Sequence, residues 1–226
     1  MDCFSAFLLK KRGNKMDFLR KFGFYFLLLG VLSDFLTPYI LGMFYPQLNQ
    51  MTAVMSLFGD IGSPVRSAFL VWSVVSGGLY VLSMPALYQT FVTTSKPISL
   101  LLTVSIGLYG VTDCIFTGLF SLNTNETAWN FSTWIHNVGS GIGYSGFILF
   151  PLFAFLLYDK LGSAQLRQQF LIMMLISLFF AGVYGIARIP GLNHLPVLNK
   201  LGLCQRVSFF FNYLPIVWLS IVQIKS

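Results

Sequence analysis

The chain has 226 residues, of which 56% are hydrophobic, 17% aromatic and only 9% charged, with a formal net charge of +7. A soluble globular domain carries about 25% charged residues, and fourteen basic and seven acidic side chains cannot cover a water-facing surface of this size. A soluble enzyme, a disordered chain, a coiled coil and a disulfide-stapled secreted domain are excluded, and the chain reads as an integral membrane protein.

A bilayer core about 30 Å thick needs roughly 20 apolar residues in helical form. Six segments qualify, at about 22–44, 67–90, 98–120, 137–158, 169–188 and 203–224. Backbone groups in lipid must be satisfied within the segment, so each is expected to be a helix. No period-2 alternation in runs of about ten supports an outer-membrane barrel. The expected fold is all-α: one polytopic bundle of six transmembrane helices, residues 22–224, behind a basic tail at 1–21. Residues 1–15 read as an appendage, because Met16-Asp17-Phe18-Leu19-Arg20-Lys21 would make a natural start. The first span is too long for a signal-peptide core and lacks a small-residue cleavage site, so retention is expected.

The loop at 45–66 is long enough for structure. Leu48, Met51, Met55 and Phe58 form one stripe of a short amphipathic helix, with Gly59 to stop it and Gly62-Ser63-Pro64 to turn the chain into span 2. An ordinary interfacial helix is preferred over a roof on the bundle. The loop at 121–136 holds two glycosylation sequons, Asn125-Glu126-Thr127 and Asn130-Phe131-Ser132, which are common by chance and carry no weight. A weak repeat is visible: Gly30-Val31 before Asp34, Gly110-Val111 before Asp113, and Gly182-Val183 before Arg188, each followed by a returning span opening on Arg66, His136 or Arg206. Three related hairpins and coincidence explain it about equally well.

Orientation follows from basic residues. Lys10, Lys11, Arg12, Lys15, Arg20, Lys21, Lys96, Lys160, Arg167 and Lys225 fall on one side, leaving Arg66, Arg188, Lys200 and Arg206 at span ends on the other. Both termini are therefore expected in the cytoplasm and the protein in the plasma membrane. The positive charge matches anionic lipid, not nucleic acid. Cys3, Cys114 and Cys204 make no disulfide framework; a Cys114–Cys204 bridge is conceivable, and core-filling thiols are preferred.

Charge inside a membrane carries most of the functional information, because Asp at mid-helix is about 2.5–3.5 kcal/mol unfavourable and must find partners or a cavity. Asp34, Arg66, Asp113, His136, Arg188 and Arg206 all belong to the outer half of the spans. They are expected to form one polar cluster below the outer surface. Three uses are open: mutual neutralisation that pins neighbouring helices, an outward-facing pocket for a lipid head group or small polar ligand, and a proton- or ion-coupled pathway.

Two motifs in span 4 mislead. Gly141-Ile142-Gly143-Tyr144-Ser145-Gly146 matches a dinucleotide fingerprint, but the fingerprint works only as a strand-to-helix turn with free amides. Gly143-Tyr144-Ser145-Gly146 also resembles the nucleophile motif of rhomboid proteases, yet span 6 contains no histidine to serve as base. Gly139, Gly143 and Gly146 instead present a small-residue face that admits a neighbouring helix. No metal-ligand spacing is present. Pro38, Pro85, Pro151 and Pro215 fall within spans and should kink them or free carbonyls.

The run Leu32-Ser33-Asp34-Phe35-Leu36-Thr37-Pro38-Tyr39, Tyr45-Pro46, Met55-Ser56-Leu57-Phe58-Gly59 and Gly62-Ser63-Pro64-Val65-Arg66 resembles the bacterial integral-membrane family of domain of unknown function 998. More distantly it is similar to Frag/DRAM-type membrane proteins. The resemblance implies a bacterial plasma-membrane protein and draws attention to Ser56, Gly59 and Pro64, but supplies no reaction. The expectation is a non-enzymatic protein whose outward-facing polar pocket recognises a lipid head group or small amphiphile. The alternatives are a small secondary transporter coupled through Asp34 or Asp113, and an accessory subunit. Membrane lipid is the expected partner, then a second membrane protein; no catalytic residue, cofactor, metal or nucleic acid is expected.

Overall fold

The computed structural model describes residues 3–126, 128–192 and 194–225. Six helices are long and apolar enough to cross a membrane, as the length and composition of the apolar runs dictate. They are α1 (Cys3–Phe44), α2 (Arg66–Phe91), α3 (Lys96–Leu119), α4 (Phe131–Lys160), α5 (Ala164–Ala187) and α6 (Leu201–Lys225). The described chain is a multi-pass, all-helical membrane bundle. The basic segment before the first span does not form a separate tail: α1 is continuous from Cys3 into the span. Helix α4 starts earlier than the apolar run suggests because its first two turns carry Thr133, His136 and Asn137, which depress hydropathy without breaking the helix. Asn130 caps it, its side-chain oxygen accepting from the Thr133 amide at 2.9 Å. A structural need therefore accounts for one of the two sequons.

Consecutive helices run antiparallel. Gly23 lies against Ala86 while Gly30 lies against Tyr80, and Ser105 lies against Gly146 while Thr112 lies against Gly139. The ends of α1, α3 and α5 thus gather with the starts of α2, α4 and α6, opposite the start of α1 and the end of α6. Each helix packs on the next, α6 returns to α1, and α4 also touches α6, so the bundle closes as a ring in sequence order. Its centre is filled by aromatic rings from four helices: Tyr109 stacks on Phe147 at 4.1 Å between centroids, Phe147 meets Phe209 at 5.5 Å and Tyr80 meets Tyr109 at 5.1 Å.

Close approach of backbones depends on glycine. A Cβ on Gly143 would sit 2.6 Å from the Asp113 amide nitrogen, and one on Gly146 2.6 Å from the Ser105 carbonyl oxygen. The small-residue face of span 4 therefore receives α3, as its spacing predicts. Where α3 passes this face it widens: Tyr109–Ile115 is π-helical, a form that is rare and concentrates at functional sites. Pro215 leaves the Phe211 carbonyl free on α6, and the Ser177 hydroxyl of α5 takes it up at 3.0 Å.

The segment between α1 and α2 departs from expectation. In place of an amphipathic helix over 48–58, it makes a series of turns and a single 3-10 turn at Met55–Gly59. It folds over the loop-rich end of the bundle. Phe58 is fully buried with Leu41, Val65 and Phe69, and the Ile61 amide donates to the Leu122 carbonyl at 3.1 Å. Polar partners on α6 and on the α3–α4 connection hold it there, which an apolar stripe cannot report.

Gly143→Ala is expected to lower stability by about 1–3 kcal/mol through overpacking against α3. Gly141→Ala, where an added Cβ meets nothing within 4 Å, should be neutral or slightly stabilising. Thermal unfolding of both variants in the same detergent checks the pair.

Candidate functional site

A cavity of about 80 Å³ lies beneath the roof segment, with walls from all six helices. Its lining includes Asp34 and Thr37 of α1, Ser56 of the roof, Tyr109, Asp113 and Cys114 of α3, His136, Asn137 and Ser140 of α4, Tyr184 at the end of α5, the adjoining Arg188, and Gln205 of α6. The aromatic core forms its floor, since Tyr109 and Phe209 line it from below.

Two carboxyl groups define its chemistry. Asp34 Oδ2 accepts from the Tyr109 hydroxyl and, at 2.8 Å, from the Tyr213 hydroxyl. The two phenols are themselves 3.2 Å apart. The Cys114 thiol lies 4.0 Å from the same oxygen. Asp113 Oδ1 accepts from the Ser140 hydroxyl. Among the described residues neither carboxyl forms an ion pair; the only ion pairs there are Arg20–Asp17 and Arg167–Asp159. Mutual neutralisation of intramembrane Asp and Arg is therefore not how these groups are accommodated. Hydroxyl donors do it, which avoids desolvating a second charge.

The π-helical turns explain why α3 can offer so much to one space. A wider helix brings Tyr109, Asp113 and Cys114 onto a single face, whereas 3.6 residues per turn would begin to rotate them apart. The wider turns remain satisfied: the Phe116 amide reaches back to the Val111 carbonyl, and the Thr117 hydroxyl donates to the Asp113 carbonyl at 2.5 Å.

His136 is 1% exposed. Its Nδ1 lies 2.8 Å from the Phe120 carbonyl oxygen, which can only accept, so Nδ1 carries the proton. In the neutral ring Nε2 is then a lone-pair acceptor, and it has no partner. Arg188 follows the last residue of α5 and is exposed at the rim, 3.4 Å from the Tyr184 hydroxyl and 5.7 Å from its ring centroid.

The remaining residues anticipated for the cluster lie elsewhere. Arg66 does not line the cavity; its Nε donates to Ser121 Oγ at 2.9 Å and ties α2 to the α3–α4 connection. Arg206 does not line it either. Its Nη1 donates to the carbonyls of Gln50 at 2.7 Å, Ala53 at 3.0 Å and Gly202 at 2.9 Å, fastening the roof to α6. Gln205 adds a bond from the Met55 amide at 2.7 Å. Of the family-like segment, Ser56 lines the cavity, Gly59 allows the Phe69 ring within 2.6 Å of where a Cβ would stand, and Pro64 sits exposed in the turn before α2. Ser145 of the protease-like motif is exposed on α4, outside the cavity, and donates to its own helix at Ile142. Cys114 and Cys204 are buried free thiols, so no bridge joins them.

The sequence pattern of the family described as protein of unknown function DUF998 matches residues 28–222. The chain belongs to this family. No curated protein and no solved structure matches it.

The DUF998 match spans all six helices and every cavity-lining residue named above. Four of the six residues anticipated for the cluster, Asp34, Asp113, His136 and Arg188, reach this cavity of the DUF998 chain. Tyr109, Ser140, Tyr184 and Tyr213 were not anticipated. A signal for them was available: Tyr109 precedes Asp113, Ser140 follows His136 and Tyr184 precedes Arg188, each by four residues, the spacing that puts two side chains on one helix face. Tyr213 has no such partner within its helix and is found only through Asp34.

Tyr109→Phe keeps the ring stacked on Phe147 and removes one donor from Asp34. With Tyr213 still donating to the same oxygen, it should lower stability by about 1–3 kcal/mol, the order of one lost hydrogen bond to a carboxyl group. Tyr25→Phe, on an exposed site of α1, should stay within about 0.5 kcal/mol of the parent. Parallel thermal unfolding of the two variants measures the difference.

Proposed function

We propose that this DUF998 chain is a non-enzymatic protein of the bacterial plasma membrane, with both termini cytoplasmic, whose outward-facing cavity receives the polar end of an amphiphile. The bias of ten of the fourteen Lys and Arg towards the side of the termini supports that orientation. One observation carries the ligand class: two carboxyl groups and an imidazole lone pair line a single space, none of them in an ion pair among the described residues, while one guanidinium stands at its rim.

An ammonium group offers three donors and no acceptor, which complements Asp34, Asp113 and His136 Nε2. Arg188 at the rim suits a phosphate or carboxylate, for which a guanidinium is the geometric match. A zwitterionic head group with its ammonium inward and its phosphate at the rim meets both. Since one water needs about 10–15 Å³ on this measure, 80 Å³ holds an ethanolamine-sized end and leaves the phosphate at the mouth. Ser140 donates to Asp113, and the reading proposed for this space is one of binding.

Phosphoethanolamine added to the purified protein should raise its thermal midpoint by several degrees at saturation, because ligand binds the folded state only. Phosphocholine, with no N–H donors, should raise it less. Asp113→Asn should retain the fold and lose the shift. No shift with either compound, or a full shift in Asp113→Asn, overturns the proposal.

A small secondary transporter is the second reading. It is favoured by Asp34 and Asp113 entering one space from different helices, the latter on a π-helical segment. Proteoliposomes given a pH gradient and radiolabelled phosphoethanolamine separate the two: a binding protein shows no accumulation above empty vesicles, and accumulation lost in Asp113→Asn establishes transport.

A further inference from the structure

Helices α1 and α6, the first and last of the ring, meet along a seam that faces the membrane. Its lower part is an apolar groove of about 360 Å³ between Val31, Leu32 and Phe35 on one side and Phe210, Leu214 and Val217 on the other. Leu32, Phe210 and Leu214 are 52%, 43% and 36% exposed, so the groove is open to acyl chains. Phe35 and Tyr213 continue upward into a narrow cleft of about 10 Å³, whose upper wall is Arg206 and whose inner wall includes Asp34 and Pro38.

Arg206 is the informative residue. It is 9% exposed and divides its donors unequally. Nη1 alone serves two roof carbonyls, of Gln50 and Ala53, and that of Gly202 on its own helix. Nε and Nη2 are both buried without a hydrogen-bond partner among the described residues. Those two nitrogens form one side of the guanidinium plane, the paired fork that meets two oxygens of a phosphate or carboxylate in parallel bonds. Among the described residues no carboxylate forms an ion pair with it. A buried cation with a complete fork left free is unfavourable unless something fills it, and its place five residues into α6 puts it roughly 8 Å below the helix start, near the level where lipid head groups give way to acyl chains.

We propose that the α1–α6 seam is a seat for one anionic phospholipid, an acyl chain lying in the apolar groove and the head-group phosphate engaging the free Nε–Nη2 edge of Arg206. The charge of the lipid complements a guanidinium that has no ion-pair partner among the described residues. The apolar walls supply chain contact over about 10 Å, the rise of the seven residues from Leu28 to Phe35. The apolar groove and Arg206 lie outside the polar cavity, while the cleft that joins them shares Asp34, Pro38, Met55 and Phe209 with the cavity lining.

Native mass spectrometry of the full chain, incubated with equal amounts of dioleoyl phosphatidylglycerol and dioleoyl phosphatidylcholine, tests it. The expected result is a one-lipid adduct at least fivefold richer in phosphatidylglycerol. Leu214→Trp, which blocks the groove without touching Arg206 or the roof, should cut that adduct at least fivefold. Arg206→Lys keeps a cation near the roof carbonyls but lacks the fork, and should lower the preference for phosphatidylglycerol at least threefold. Equal retention of the two lipids, no retained lipid (the fork holding water only), or an adduct unchanged by Leu214→Trp overturns the proposal.

Discussion

Two phenol hydroxyls, one from α3 and one from α6, converge on a single carboxylate oxygen of α1. A membrane interior offers no water to quench a buried polar atom, so an aspartate placed there constrains every helix around it. Tyr109 must be aimed at Asp34, which fixes the rotation of α3, and Tyr213 must be aimed at the same atom, which fixes α6. The stacking of Tyr109 on Phe147 then locates α4. Three helices distant in sequence are thereby oriented by one acceptor, and the polar cavity opens directly above this junction.

The second organising element is the roof. Its own sequence gives it little reason to hold shape, since it contains no regular element longer than a single 3-10 turn. Shape comes from outside, from Arg206 and Gln205 of α6, from the seating of Phe58 among Leu41, Val65 and Phe69, and from Asp60, which accepts from the amide and hydroxyl of Thr124 at 2.9 and 3.0 Å. Gly202 is indispensable to that contact, because a Cβ there would collide with the carbonyls of Gln50 and Ala53. Cavity and roof are thus one construction, and Ser56 belongs to both.

Hydropathy and length made the six helices legible because the bilayer imposes both on any chain that crosses it. The face Gly139-Gly143-Gly146 was legible for a related reason: close helix approach leaves small residues at four- and three-residue steps. Rotation about each helix axis was not legible. Asp34 and Asp113 could be placed at a depth but not in a direction, and Arg66 and Arg206, at similar depth, turned out to serve loops. The π-helical turns of α3 were invisible as well, since Tyr109–Ile115 carries weak helix formers but nothing that separates π-helix from α-helix. The roof was misjudged because an apolar stripe identifies which residues want burial, not what will bury them.

A guanidinium is a flat and rigid plate, so its opposite sides cannot move independently. On Arg206 one nitrogen grips three carbonyls around the roof, while the opposite edge looks into the seam between the first and last helices. Any tilt of the plate imposed from the bilayer side is transmitted as a tug on Gln50 and Ala53, within a few residues of Ser56 at the mouth of the cavity. Seam and roof thus share one rigid side chain, and neither can be repositioned without the other.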